Sequence, residues 1–249
     1  MTVSPSAVVL AAAGLALVVL GLGSARRPDE PVPDRDGYFD RWSATHGGYD
    51  PRTGSVWVRG WLSMVLVLAR PLARRGVQPD VVTWSSLWLA LLVVALADVG
   101  GWWAVLAGVL VVASALLDSL DGGLAVLEDR QTSWGYVLDS VVDRCSDVAW
   151  VLAAVAVGCP LELALAVVSA VFLLEYLRAR AGNAGFGEVG TVTVAERPTR
   201  VIVLAPTLAV CGLWPEGADV VSVAGPAVLL GLTFVGVVQL VVVVRRALG

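Results

Sequence analysis

Seven mostly apolar stretches, each about the length of a membrane-spanning helix, divide this chain: roughly 4–23, 81–98, 102–120, 135–157, 161–177, 199–214 and 220–244. A spanning helix needs about 20 such residues. Lipid offers backbone N–H and C=O groups no partner, so they must pair within the segment. The stretches therefore predict an all-α integral membrane protein. Composition agrees: 57% of the 249 residues are hydrophobic and 15% charged, against about 45–50% and 25% in a soluble domain.

Arginine sets the orientation. The 17 basic residues are all arginine, clustered at Arg26/Arg27, along the chain to Arg75, and at Arg130, Arg144, Arg178/Arg180, Arg197/Arg200 and Arg245/Arg246. The connections near 99–101, 158–160 and 215–219 carry none. Basic loops stay in the cytoplasm, and threading the spans alternately puts every cluster on that side. The net charge of −4 says little by itself, because placement matters more than sum in a membrane protein; no nucleic-acid partner is expected.

The first stretch lacks a basic start and is followed by its arginines, which suits an anchor rather than a cleaved signal. This organisation predicts an anchor at 1–24, a cytoplasmic linker at 25–54 rich in Pro, Asp and Gly, and a membrane domain at 55–249. Val56–Ala69 is too short to span and reads as an amphipathic juxtamembrane helix on the inner leaflet. Six spans then form the main bundle. The single histidine, His46, reads as a loop residue, and Cys145, Cys159 and Cys211 as buried thiols without metal-ligand spacing. Gly185–Gly190 fits G-x-G-x-x-G, but a dinucleotide site needs that motif between a strand and a helix. A loop between membrane spans offers neither.

The chemistry concentrates where the second and third main-body spans meet the cytoplasm. Asp118 and Asp121 share one helix face at i, i+3, and Asp139 and Asp143 share another at i, i+4. Four carboxylates on antiparallel neighbouring helices repel one another, so protons or cations must compensate. Hard divalent ions, Mg²⁺ or Mn²⁺, take such oxygen ligands, and two of them about 3.5–4 Å apart suit phosphoryl displacement. Gly122 and Gly123 leave room for close substrate approach. A transporter using the same aspartates would be expected to place them at the midplane, on broken helices.

These residues carry a specific resemblance. Asp118, Asp121, Gly122, Ala125, Gly135, Asp139 and Asp143 match, gap for gap, the D-x2-D-G-x2-A-R-x8-G-x3-D-x3-D signature of the CDP-alcohol phosphotransferase family. Pro79-Asp80-Val-Val-Thr83 resembles that family's nucleotide-contacting P-D/N-x-x-T element. The resemblance implies transfer of a phosphatidyl group from CDP-diacylglycerol to a polar alcohol, releasing CMP, at the cytoplasmic face of the plasma membrane. It implies two ions held by Asp118, Asp121, Asp139 and Asp143, with Asp143 also the general base. Asp80, Thr83, Gly122, Ala125, Thr132 and Gly135 would hold the CDP-lipid, and the protein would be a homodimer in contact with membrane lipid. Glu196-Arg197-Pro198-Thr199-Arg200 resembles the E-R-x-x-R element of actinobacterial phosphatidylinositol-phosphate synthases. With Arg178, those arginines suggest a phosphorylated acceptor such as inositol phosphate or glycerol phosphate, since guanidinium groups match phosphate well. One position departs: the signature arginine is Val126. That departure leaves open a catalytically silent, scaffolding member of the family, with Arg130, one turn on, as the candidate replacement.

Overall fold

The computed structural model describes residues 32–45, 47–186 and 193–249, together with Gly14. The expected anchor lies outside these residues but for Gly14, as do His46 and most of the Gly185–Gly190 loop. The described chain is helical, with no strand among these residues. We number its helices α1 (Arg35–Thr45), α2 (Val56–Arg74), α3 (Pro79–Val99), α4 (Trp102–Leu127), α5 (Ser133–Ala156), α6 (Leu161–Asn183), α7 (Arg197–Leu213) and α8 (Ala218–Leu248). Helices α3–α8 overlap, in order, the six stretches read as the main-body spans.

Among the described residues, four helical segments are long and apolar enough to cross a membrane: Val56–Arg74, Pro79–Val99, Trp102–Leu127 and Pro215–Leu248. The protein is a multi-pass membrane protein. Helices α5, α6 and α7 carry more charge or are shorter, and much of that charge is neutralised internally by ion pairs described below. Val56–Arg74 departs from the expectation of a helix too short to span. It runs 19 residues through Pro71, because Ala69-Arg70-Pro71-Leu72-Ala73 continues the same packed stripe. Leu62, Val65, Leu66, Ala69 and Ala73 are buried along one face, while Trp57 is 87% exposed on the other. Such a stripe at helical spacing marks an amphipathic helix.

Internal contacts divide the chain into two units. The first comprises Leu10–Trp88 and Ala113–Asp143. Its core joins Tyr38 and Phe39 of α1 to Leu62, Val65 and Leu66 of α2 and to Leu120, Leu124 and Leu127 of α4. The stretch read as a linker thus contains a packed helix. Its aromatic residues at 38, 39 and 42 form a short apolar face amid charges, too brief to register as a span. Arg52 fastens α1 through Asp36 and Asp40, at 3.2 and 2.7 Å. The Ser55 side chain caps α2 by accepting from Trp57 N–H. At the other end Gly76 takes φ +68°, and Val77 N–H bonds back to Leu72 O. That left-handed turn ends α2 and lets α3 begin at Pro79.

Among the described residues, the second unit comprises Leu89–Val112 and Arg144–Gly249. Its helices meet at small residues, as apolar membrane helices do. A Cβ on Gly108 would stand 2.5 Å from Ala205 O, and one on Gly225 2.0 Å from Thr207 Oγ1. Cys159 and Cys211 are buried free thiols, whereas Cys145 is exposed, contrary to expectation. It sits on the outward face of α5, where an apolar residue meets the surroundings rather than the core.

Candidate active site

The carboxylates gather at the facing ends of α4 and α5 within the first unit. Asp118, Asp121 and Asp139 each place an oxygen within 4.8 Å of the other two. Asp121 is buried; its Oδ1 accepts from Gly122 N–H, and its Oδ2 is buried without a hydrogen-bond partner. A buried, unsatisfied carboxylate oxygen is costly, and in a cluster of hard oxygen donors a divalent cation is the fitting partner. Asp143 is not one of the three. It lies one helical turn beyond Asp139, a rise of about 6 Å along α5.

A cavity of about 760 Å³ opens beside this cluster. All six residues expected to hold the CDP-lipid line it: Asp80, Thr83, Gly122, Ala125, Thr132 and Gly135. Trp57, Val58, Trp61 and Leu62 give it a broad apolar side, while Asp80, Asp121 and Asp139 give it an acidic end. Such a wall suits a ligand that is part lipid and part charged head. The Thr132 side chain caps α5, its Oγ1 accepting from Gly135 N–H at 2.9 Å. A Cβ on Gly135 would come within 3.1 Å of that oxygen and 3.9 Å of Asp80 Oδ1. A larger residue there would crowd the cap oxygen. Gly122 differs, because a Cβ there would meet no protein atom within 4 Å. Packing does not require this glycine, which costs a helix interior about 0.5–1 kcal/mol; the space it leaves lies on the cavity.

Val126, where the family signature has arginine, is 5% exposed in the apolar core and also edges the cavity. The chain then turns sharply. Asp129 takes φ +54°, and Arg130 N–H bonds to Ala125 O at 2.9 Å, the arrangement that closes a helix C-terminus. The turn brings Arg130 to the cavity wall, where Nη1 stands 3.3 Å from Glu128 Oε2. Burial raises the Glu128 pKa, and Arg130 counters part of that rise.

The arginines expected to receive an acceptor lie in the second unit, and each is engaged within it. Arg178 clasps Glu196 through both terminal nitrogens, at 2.9 and 2.6 Å. Glu196 also accepts from Thr193 N–H and Thr193 Oγ1. Burial alone would raise the Glu196 pKa, but these donors hold it below the usual glutamate value. Arg197 lies 5.2 Å over the Trp150 ring. Arg200, 2% exposed, bonds to Asp147 Oδ2 at 2.7 Å and to Glu175 Oε1 at 2.5 Å, and Arg144 reaches the same two carboxylates at 3.3 and 3.2 Å. Sequence reasoning missed Asp147 and Glu175, although Asp147 continues the i, i+4 register of Asp139 and Asp143. It also missed Tyr38, Trp42 and Thr45, which line the cavity from α1. Their i, i+4, i+7 spacing was the available signal.

The sequence profile of CDP-alcohol phosphatidyltransferase matches residues 77–239. The phosphatidylinositol phosphate synthase of Cutibacterium acnes is 35% identical over 206 residues, 76% of this chain and 95% of that protein. The archaetidylinositol phosphate synthase of Pyrococcus horikoshii is 34% identical over 102 residues, 40% of this chain and 53% of that one. Two crystal structures of Mycobacterium tuberculosis phosphatidylinositol phosphate synthase are also similar. One holds manganese and citrate, at 27% identity and TM-score 0.61, covering 73% of this chain and 88% of that one. The other has CDP-DAG bound, at 26% identity and TM-score 0.60, covering 73% and 94%.

Proposed function

The chain belongs to the CDP-alcohol phosphatidyltransferase family, and on that premise we propose that it transfers a phosphatidyl group from CDP-diacylglycerol to a phosphorylated polyol, releasing CMP. The observation that carries this reading is the Asp118–Asp121–Asp139 cluster at the acidic end of a cavity whose other side is apolar. The synthases from C. acnes and M. tuberculosis point to inositol phosphate as the acceptor.

Asp118, Asp121 and Asp139 would hold divalent cations, Mg²⁺ or Mn²⁺, with Asp143 beside them; the buried unpartnered Oδ2 of Asp121 fits that role. The manganese in the M. tuberculosis structure supports the assignment. When bound, such ions offset negative charge on the pyrophosphate and on the departing CMP. Asp80, Thr132 and Gly135 would position the cytidine end, and the tryptophans of α2 the acyl chains. Asp143, outside the three-carboxylate cluster, would take the proton from the acceptor hydroxyl as it attacks phosphorus in line. The three engaged arginines would shape the acceptor's surroundings unless a phosphate displaces their carboxylates. The catalytic domain would be 55–249, preceded by an anchor at 1–24 and the 25–54 segment. It would face the cytoplasm of the plasma membrane and work as a homodimer.

The test is CMP release from CDP-diacylglycerol by the purified chain, with and without Mn²⁺ or Mg²⁺, across inositol phosphate, glycerol phosphate and inositol. Metal-dependent release with inositol phosphate is expected. Release that no metal chelator diminishes, or that prefers unphosphorylated inositol, would overturn the metal or acceptor assignment respectively.

A further inference from the structure

Helix α1 precedes the residues matched by the family profile, which begin at residue 77, yet it forms part of the cavity wall. It is held there firmly: Arg41 Nη1 donates to Leu127 O, at the C-terminus of α4, across 2.6 Å. A cation at that end is favoured by the helix dipole. Phe39 packs in the same core, and Arg52 ties Asp36 and Asp40 to the chain ahead of α2.

Tyr38 is the residue of α1 that stands out. It lines the cavity, is wholly buried, and its hydroxyl has no hydrogen-bond partner. A Cβ on Gly123 would stand 3.3 Å from that hydroxyl, so it lies beside the glycine pair that follows Asp121. A buried phenol without a partner is a penalty that phenylalanine would avoid. Tyrosines inside proteins ordinarily find one. Burial also pushes the Tyr38 pKa up to about 12, so the group remains a donor at neutral pH.

We propose that Tyr38 is a substrate-binding residue, its hydroxyl donating to an oxygen of the CDP-linked donor lodged beside Gly123. The assignment rests on the reading of this cavity as the CDP-lipid site. It gives the chain, through a helix outside the matched family stretch, a hydrogen-bond donor on the same cavity that Val126 edges.

Tyr38→Phe in the full-length protein removes one oxygen and nothing else. Binding of CDP-diacylglycerol in detergent micelles with Mn²⁺ should weaken roughly two- to tenfold, as for a neutral hydrogen bond. The melting temperature without ligand should stay level or rise, because no bond is lost there. The same loss with cytidine monophosphate would put the accepting oxygen on the nucleotide's ribose, base or phosphate; loss with the lipid alone would put it on the second phosphate. Unchanged affinity in Tyr38→Phe, while wild type binds, would reduce Tyr38 to a packing residue. A lowered melting temperature without ligand would show that the hydroxyl already serves the protein. Wild type failing to bind CDP-diacylglycerol would remove the reading of the cavity, and this assignment with it.

Discussion

Arg200 on α7 and Asp147 on α5 form an ion pair 2.7 Å long, with side chains only 2% and 5% exposed. Arg144 and Glu175 complete a group of two positive and two negative charges. Buried charges of this kind persist only when paired.

Removing one member should therefore cost far more than a surface contact. Arg200→Met leaves Asp147 and Glu175 with a single counter-charge, and a loss of about 3–5 kcal/mol is expected. It would be read from the denaturation midpoint in detergent. Adding Asp147→Asn should recover part of it by removing the excess negative charge. A wild-type midpoint in Arg200→Met, joined to poor acceptor affinity, would instead make Arg200 an acceptor ligand.

Asp143 lies one helical turn beyond Asp139 on α5, and the proposed mechanism makes it the general base. In Asp143→Asn, turnover should fall roughly 10²–10⁴-fold, the range of a lost general base. Mn²⁺ and CDP-diacylglycerol affinities, measured by titration, should stay near wild type. Asp121→Asn should lose Mn²⁺ affinity directly. Equal loss of Mn²⁺ binding in both variants would place Asp143 among the ligands.

Arg130 reaches the cavity from the loop after the position where the family signature has arginine. Arg130→Ala should weaken CDP-diacylglycerol binding about ten- to a hundredfold, the worth of a charge-assisted hydrogen bond. Val126→Arg should restore it, since Val126 also edges the cavity. Full affinity in Arg130→Ala would leave Arg130 as the partner of Glu128 alone. Turnover gained only on Val126→Arg would mean that the valine itself silences the natural chain.

Asp129 closes α4 with φ +54° and is exposed. Asp129→Gly should be neutral or stabilising by up to about 1 kcal/mol, because glycine adopts left-handed backbone without strain. Asp129→Val should cost about 1–2 kcal/mol and, by shifting Arg130, lower CDP-lipid affinity as well. Equal stability of the two variants would argue that the turn tolerates any residue.

Much of this protein was decided locally and could be read from the chain. The six main-body stretches fall on helices α3–α8, ends shifting by a few residues, because apolar length is a property of each segment alone. Asp118, Asp121 and Asp139 meet as their i, i+3 and gap spacings required, since helix register is also local. The Thr132–Gly135 cap arises within four residues. Tertiary structure decided the rest. An arginine's position tells on which side of the membrane it stands, but not which carboxylate it will find. Arg200 finds Asp147 and Glu175, 53 and 25 residues away. Tyr38 lay in a polar stretch with no span-like signal, and it reaches the cavity only because α1 docks on α2 and α4. Hydropathy and register are written into neighbouring residues, whereas the partners of a buried charge or hydroxyl are chosen by how distant helices pack.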